Sequence, residues 1–288
     1  MNSSIECIPC FIRQAVSAIK KVSDDPSFQE KALRETLTMI SQLDYKQSPP
    51  ASVQKINSFL KKFAGTEDIF FADKKLQNET AVKLAESLSD EIKKADDKLH
   101  FAVKLAIAGN IIDLGVKGHV SEKDIKESLY KAINEPLDGD YAEFISKLDQ
   151  AENILYLADN AGEIIFDRLL LEELKHKNVT FAVRGAPIIN DATVEDAEFA
   201  EIHEVAKIIT NGFDAPGTVY DSCSDEFKEY FTKADIIISK GQGNFESLYG
   251  INGPIFFLFK VKCDLVASNS DYPTGSQLLL KNKKLTTA

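Results

Sequence analysis

The chain has 288 residues, 44% hydrophobic and 27% charged, with a formal net charge of −11 at pH 7, an ordinary globular composition with room for one large domain or two modest ones. That charge argues against broad nucleic-acid binding, which needs Lys and Arg to neutralise phosphates; a small anionic substrate stays compatible with it, held by a few local cations and a metal. No apolar run approaches the ~20 residues that span a bilayer, and Met1 to Cys7 lack the basic-then-apolar pattern of a secretory signal, so the expectation is a soluble, cytoplasmic protein.

The first half reads as helices. Phe11 to Val22, Phe28 to Leu43, Ser52 to Phe63, Asp73 to Lys93, Lys98 to Asp113 and Glu122 to Ile133 carry apolar residues at three- and four-residue spacing. Pro26, Ser48-Pro49-Pro50, Gly65 and the stretch from Gly115 to Gly118 supply the breaks, Ser121 with Asp124 marks a helix start, and Gly139 lies in a polar turn. Cys7 and Cys10 have CxxC spacing, open to a structural, redox or metal role; a four-thiolate site would need Cys223 and Cys263 to converge on them. The four histidines form no HxH or HExxH pair, so any metal site is expected to use oxygen ligands.

From about residue 152 the rhythm changes to short apolar strands alternating with helices. The strands are Asn153 to Ala158, Val179 to Val183, Ala206 to Thr210, Asp235 to Ser239 and Pro254 to Phe259. Helices follow at Ile164 to Lys175, Val194 to Phe199, Glu226 to Lys233 and from about Asn244. Strands apolar throughout and separated by helices indicate a parallel sheet covered on both faces. The predicted fold is therefore α/β: a Rossmann-like, doubly wound, mainly parallel sheet in residues 149–288, preceded by an all-helical domain in residues 1–148.

In such a sheet, ligands bind beyond the carboxyl ends of the strands. Those ends carry Asp159-Asn160-Ala161-Gly162-Glu163, Arg184-Gly185 continuing to Asn190-Asp191, Asn211-Gly212-Phe213-Asp214, and Lys240-Gly241-Gln242-Gly243-Asn244-Phe245-Glu246. Asp159, Asn160 and Asp191 supply hard oxygen ligands for Mg²⁺ or Mn²⁺; alone, Asp159 and Asn160 could equally cap the following helix. Lys240 and the Gly241–Asn244 turn are placed to receive a phosphoryl group, with Arg184 as a second clamp. Glu163 and Glu246 are candidates for orienting water or for acid–base work, or are simply first-turn surface acids. A methyltransferase binding S-adenosylmethionine is the alternative, although the turn after the first strand holds one glycine rather than a glycine-rich motif. A metal-binding regulatory module is the third reading.

The chain resembles the family long known as domain of unknown function 89, now described as metal-dependent damage-control phosphatases. The likeness rests on Cys7-x-x-Cys10 with Arg13-Gln14-Ala15, on Gly109-Asn110-Ile111-Ile112-Asp113, and on the three strand-end motifs at Asp159, Arg184 and Lys240. The CxxC resembles the archaeal and bacterial branch. The resemblance implies a divalent metal (Mn²⁺, Mg²⁺, Co²⁺ or Ni²⁺) on residues matching Asp159, Asn160 and Asp191, and Lys240 at the phosphate of a small phosphorylated metabolite. Asn110 and Asp113 would close the cleft from the helical side. One departure is Asp68-Ile69-Phe70, where the family often has Asp-Pro-aromatic, with Lys74 and Asn78 retained.

Overall fold

The computed structural model describes residues 1–112 and 122–283; Asp113, Gly115 to Gly118 and Ser121 lie outside them. The first three helices are α1 (Cys7–Val22), α2 (Pro26–Ile40) and α3 (Pro49–Ala64). The predicted breaks start and stop them. Asp25 accepts N–H bonds from Ser27 and Phe28 ahead of α2, and Gly65 ends α3 in the left-handed conformation. Phe11, Ala15, Ile19, Ala32, Ile56 and Leu60 close a small core of their own.

The next helices are α4 (Phe71–Lys94), α5 (Lys98–Ala108) and α6 (Glu122–Asn134), with a 3₁₀ turn at Gly109–Ile112 after α5. They lie against the sheet. Ala81, Leu88, Val103, Ala106 and Leu129 share one apolar cluster with Ile154, Tyr156, Phe181, Ile236 and Ile238. The remaining elements are β1 (Leu137–Gly139), α7 (Tyr141–Gln150), β2 (Asn153–Leu157), α8 (Glu163–Leu174), β3 (Asn178–Val183), α9 (Val194–Phe199) and β4 (Lys207–Thr210). After them come α10 (Asp225–Lys233), β5 (Ile236–Lys240), α11 (Gln242–Leu248), β6 (Ile255–Lys260), α12 (Asp264–Ser270) and β7 (Gln277–Lys281).

The strand order is β1-β7-β6-β5-β2-β3-β4. All neighbours are parallel except β6 and β7. The two faces follow the two-residue period of a strand: Ile154, Tyr156, Ile236 and Ile238 meet α4, α5 and α8, whereas Leu155, Leu157 and Ile237 meet Phe227 of α10 and Phe245 of α11. The five predicted strands and their helices stand within one or two residues of the expected bounds. The structure adds β1 in the predicted polar turn around Gly139, and adds α12 and β7 at the far end. β1 is three residues long and exists by pairing with β7, a partner about 140 residues away that local periodicity cannot reveal. Among the described residues no helix is long and apolar enough to cross a membrane.

Candidate functional site at the β2–β5 crevice

Chain direction around the sheet reverses at β2, which has β3 on one side and β5 on the other. That makes the crevice beyond β2 and β5 the topological switch point, where a doubly wound sheet binds ligands. The turn between β2 and α8 carries Asp159, Asn160 and Glu163 into it. Backbone bonds lace this turn to the loop after β3: Ala161 N–H to Asn190 O at 2.8 Å, Ala192 N–H to Asp159 O at 2.8 Å, and a bridge between Asn160 and Asp191. Asp191, distant in sequence from Asp159 and Asn160, thus stands beside them.

The crevice is rich in buried charge. Arg184 Nε donates to Asp191 Oδ2 at 2.7 Å, and its Nη2 lies 3.8 Å from Asp159 Oδ1. Asn160 Nδ2 donates to Asp159 Oδ2 at 2.9 Å and to Glu163 Oε2 at 3.3 Å. Burial, then the neighbouring Glu163 and Asp191 carboxylates, push the Asp159 carboxyl well above the usual range, against the pull of Arg184 and Lys262. Four buried acids (Asp159, Glu163, Asp167 and Asp191) face two buried cations, Arg184 and Lys240. With all of them ionised, two negative charges are in excess.

Lys240 occupies the end of β5 but points away from solvent. Its ammonium donates to Glu163 Oε1 and Asp167 Oδ1, both at 2.7 Å, and to Ala106 O at 2.8 Å, which uses all three N–H groups. Burial opposes its charge, yet the Asp167 and Glu163 carboxylates outweigh that and hold it protonated beyond the usual lysine range. Burial likewise raises Asp167 to about 6, opposed by Lys240; Tyr156 O–H donates to the same Asp167 oxygen at 2.7 Å.

The other predicted residues divide by whether their bonds are already spent. Asn244 is buried and fully engaged: Nδ2 donates to Ala158 O and Lys240 O, and Oδ1 accepts from Arg184 Nη1 at 3.3 Å and Thr218 Oγ1 at 2.8 Å. Gly241 donates its N–H to Leu258 O, and its missing side chain leaves room for Asp159: a Cβ there would lie 2.0 Å from Asp159 Oδ2. Gly243 packs against Pro216 O in the same way. Asn110 does join the crevice from the helical side, donating to Glu163 Oε2 at 2.8 Å and to Asp159 Oδ2 at 3.4 Å. Glu246 lies further along α11, bonded to Gln242.

Two participants were not singled out from the sequence. Lys262 follows β6, is exposed, and donates through Nζ to Asn110 Oδ1; the strand-end rule, carried on to the fifth predicted strand, points to it. Asp167 sits one helical turn after Glu163, a spacing that places both acids on one face of α8. An aspartate set within the otherwise largely apolar stretch from Ile164 to Leu171 was the available signal.

Among the described residues no trio of His, Cys, Asp and Glu side chains forms a ready-made metal cluster. The donors on offer are the Asp159 and Asp191 carboxylates and the Asn160 amide, all hard oxygen ligands once the amide turns its oxygen inward. Two surplus negative charges in a buried crevice fit one divalent cation. The four cysteines are unbridged; Cys7 is buried beside Ser4 and Cys10 is exposed.

Residues 3–278 match the family model described as "Damage-control phosphatase ARMT1-like domain". The chain belongs to the damage-control phosphatase family. It is 37% identical to a damage-control phosphatase of Pyrococcus horikoshii, over 98% of this chain and 99% of that protein. A damage-control phosphatase of Archaeoglobus fulgidus is 33% identical, over 96% and 98% of the two chains. The crystal structure of a DUF89 family protein from Pyrococcus horikoshii superposes with a TM-score of 0.91 at 35% identity, covering 98% of this chain and all of that one. The family membership and the α/β fold expected from the motifs are therefore both established.

Proposed function

We infer that this damage-control phosphatase hydrolyses phosphomonoesters of small metabolites with the help of one divalent cation held by Asp159, Asn160 and Asp191. The observation that carries this reading is the charge imbalance of the crevice: four buried acids against two buried cations, with Asp159 destabilised as an anion. When bound, such a cation supplies Lewis acidity toward the phosphoryl oxygens and lowers the pKa of water.

The chain's own residues have distinct parts. Lys262, exposed at the rim, and Arg184 Nη2, which is buried without a hydrogen-bond acceptor among the described residues, are the donors with capacity for the phosphoryl oxygens. Glu163, reached by Asn110 on one oxygen and by Lys240 on the other, orients the attacking water and accepts its proton. Lys240 acts through Glu163, because its three N–H groups are committed. In this reading the phosphate contact that the family resemblance implies for Lys240 belongs to Lys262.

The test is hydrolysis of p-nitrophenyl phosphate with Mn²⁺, Mg²⁺, Co²⁺ or Ni²⁺ against an EDTA control. Activity should require metal and vanish in an Asp159→Ala, Asp191→Ala double variant; full metal-dependent activity in that variant sinks the assignment. Loss of the Lys262 charge-assisted bond in Lys262→Met should raise KM about tenfold or more with a smaller change in kcat.

A further inference from the structure

Lys74 and Asn78, with the Asp68 segment, are a motif that the crevice chemistry does not use. Both side chains are buried on α4, together with Asp196 in the first turn of α9. Asn78 Oδ1 accepts the Gly162 N–H at 2.6 Å, and its Nδ2 donates to Asp196 Oδ1 at 2.9 Å. Asp196 Oδ2 accepts the Thr193 N–H at 2.9 Å and Thr193 Oγ1 at 2.7 Å. Lys74 lies behind this pair, bonded to Asp196 Oδ2 at 3.3 Å and Asp68 Oδ2 at 2.9 Å.

The two ends of this chain of bonds are informative. Gly162 has φ +73° and belongs to the turn that carries Asp159, Asn160 and Glu163; Thr193 ends the loop that carries Asp191. Docking of α4, which packs on α8 and α5, is already served by Ala81, Leu84, Ala85 and Leu88, so the polar chain is not needed merely to hold the helix. It is the wrong kind of contact for substrate as well, because Asn78 and Lys74 are spent on protein partners.

We propose that Asn78 and Asp196 are positioning residues, a buried strut from α4 that braces the Asp159–Glu163 turn and the Asp191–Thr193 loop from behind, adding to the backbone bonds between them, and so steadies the approach of the two carboxylates to a common cation. The last clause rests on the metal reading above; the strut itself does not. The substitution of Ile69 for the family's proline leaves it intact, since Asp68 Oδ1 accepts the Phe70 N–H at 2.9 Å and still presents Oδ2 to Lys74.

The experiment compares the full-length wild type with Asn78→Ala and Asn78→Asp by thermal melting, hydrogen exchange without metal, Mn²⁺ binding by calorimetry, and kcat and KM with p-nitrophenyl phosphate. In Asn78→Ala, exchange across residues 159–163 and 191–193 should quicken at least about tenfold while the protein stays folded. Its Mn²⁺ Kd should rise about 10–100-fold, as for loss of an outer-shell partner, with a smaller change in KM. Asn78→Asp keeps the acceptor for Gly162 but replaces the donor to Asp196 by a second carboxylate that repels it, so relative to Asn78→Ala it should restore protection at 159–163 but not at 191–193. Unchanged exchange and Mn²⁺ affinity in a folded Asn78→Ala overturn the strut. If Asn78→Ala fails to fold, Asn78→Asp decides, and wild-type exchange in both segments overturns it. A wild type that binds no Mn²⁺, with exchange altered as expected in the variants, would defeat the metal reading and leave the strut standing.

Discussion

A Cβ on Gly241 would fall on the Asp159 carboxylate, so the identity of one residue fixes how closely β5 can approach the acid-bearing turn. Gly241 also has φ +79°, a conformation that a side chain disfavours. Gly241→Ala should displace Asp159 and lower kcat/KM about 100-fold or more, the scale of an ångström-sized misplacement in a catalytic site. Steady-state kinetics with a melting control check this, and wild-type kcat/KM in the variant refutes it. Glu246 offers a pH test. Burial raises its carboxyl from 4.5 to about 7, opposed by Gln242 and Lys262. Between those values the folded chain retains a proton that the unfolded chain has released, so this group's contribution to stability falls as pH rises through the window. Glu246→Gln should therefore gain thermal stability relative to wild type on going from pH 5 to pH 8, and a constant difference across that range would be contrary.

Among the elements, α11 shows how packing aims a polar side chain. Phe245 stacks on Phe259 with centroids 4.6 Å apart and meets Phe257 edge-on at 5.1 Å. That anchors the helix in which the neighbouring Asn244 holds the ends of β2 and β5 together and meets Arg184. Phe245→Ala should cost about 3–5 kcal/mol in urea denaturation and loosen Asn244 with it; a cost below about 1 kcal/mol would mean that the helix is held elsewhere. Most elements were legible from periodicity, because each helix or strand buries a face that its own sequence writes. β1 and β7 were not: β1 is a three-residue edge strand defined by its pairing with β7, and β7 in turn pairs with β1 and β6. Of the crevice, the acids at the ends of β2 and β3 were legible by the strand-end rule, whereas the bonds that consume Asn244 and Lys240 were not.

At the scale of the whole molecule, one apolar cluster joins α4, α5 and α6 to the sheet. Ligand binding at the strand edge should then register in the melting of the entire chain. Mn²⁺ at 100 times its Kd adds about 2.7 kcal/mol, which for a chain of this size raises Tm by roughly 5 °C. EDTA should reverse the shift, and the Asp159→Ala, Asp191→Ala variant should lack it; a Tm indifferent to Mn²⁺ in the wild type counts against the metal site. The sequence alone determined five of the sheet's seven strands, the acids at their ends and the family to which the motifs belong, because alternation and strand-end polarity are local properties. Only the tertiary structure decided which of Lys240 and Lys262 is buried and which stays exposed. Lys240 shares a face of β5 with Ile236 and Ile238, and what covers that face is set by where the crossovers place α5 and α8. There it meets Glu163, Asp167 and Ala106 and is buried, while Lys262, a residue with no strand to bury it, stays at the rim.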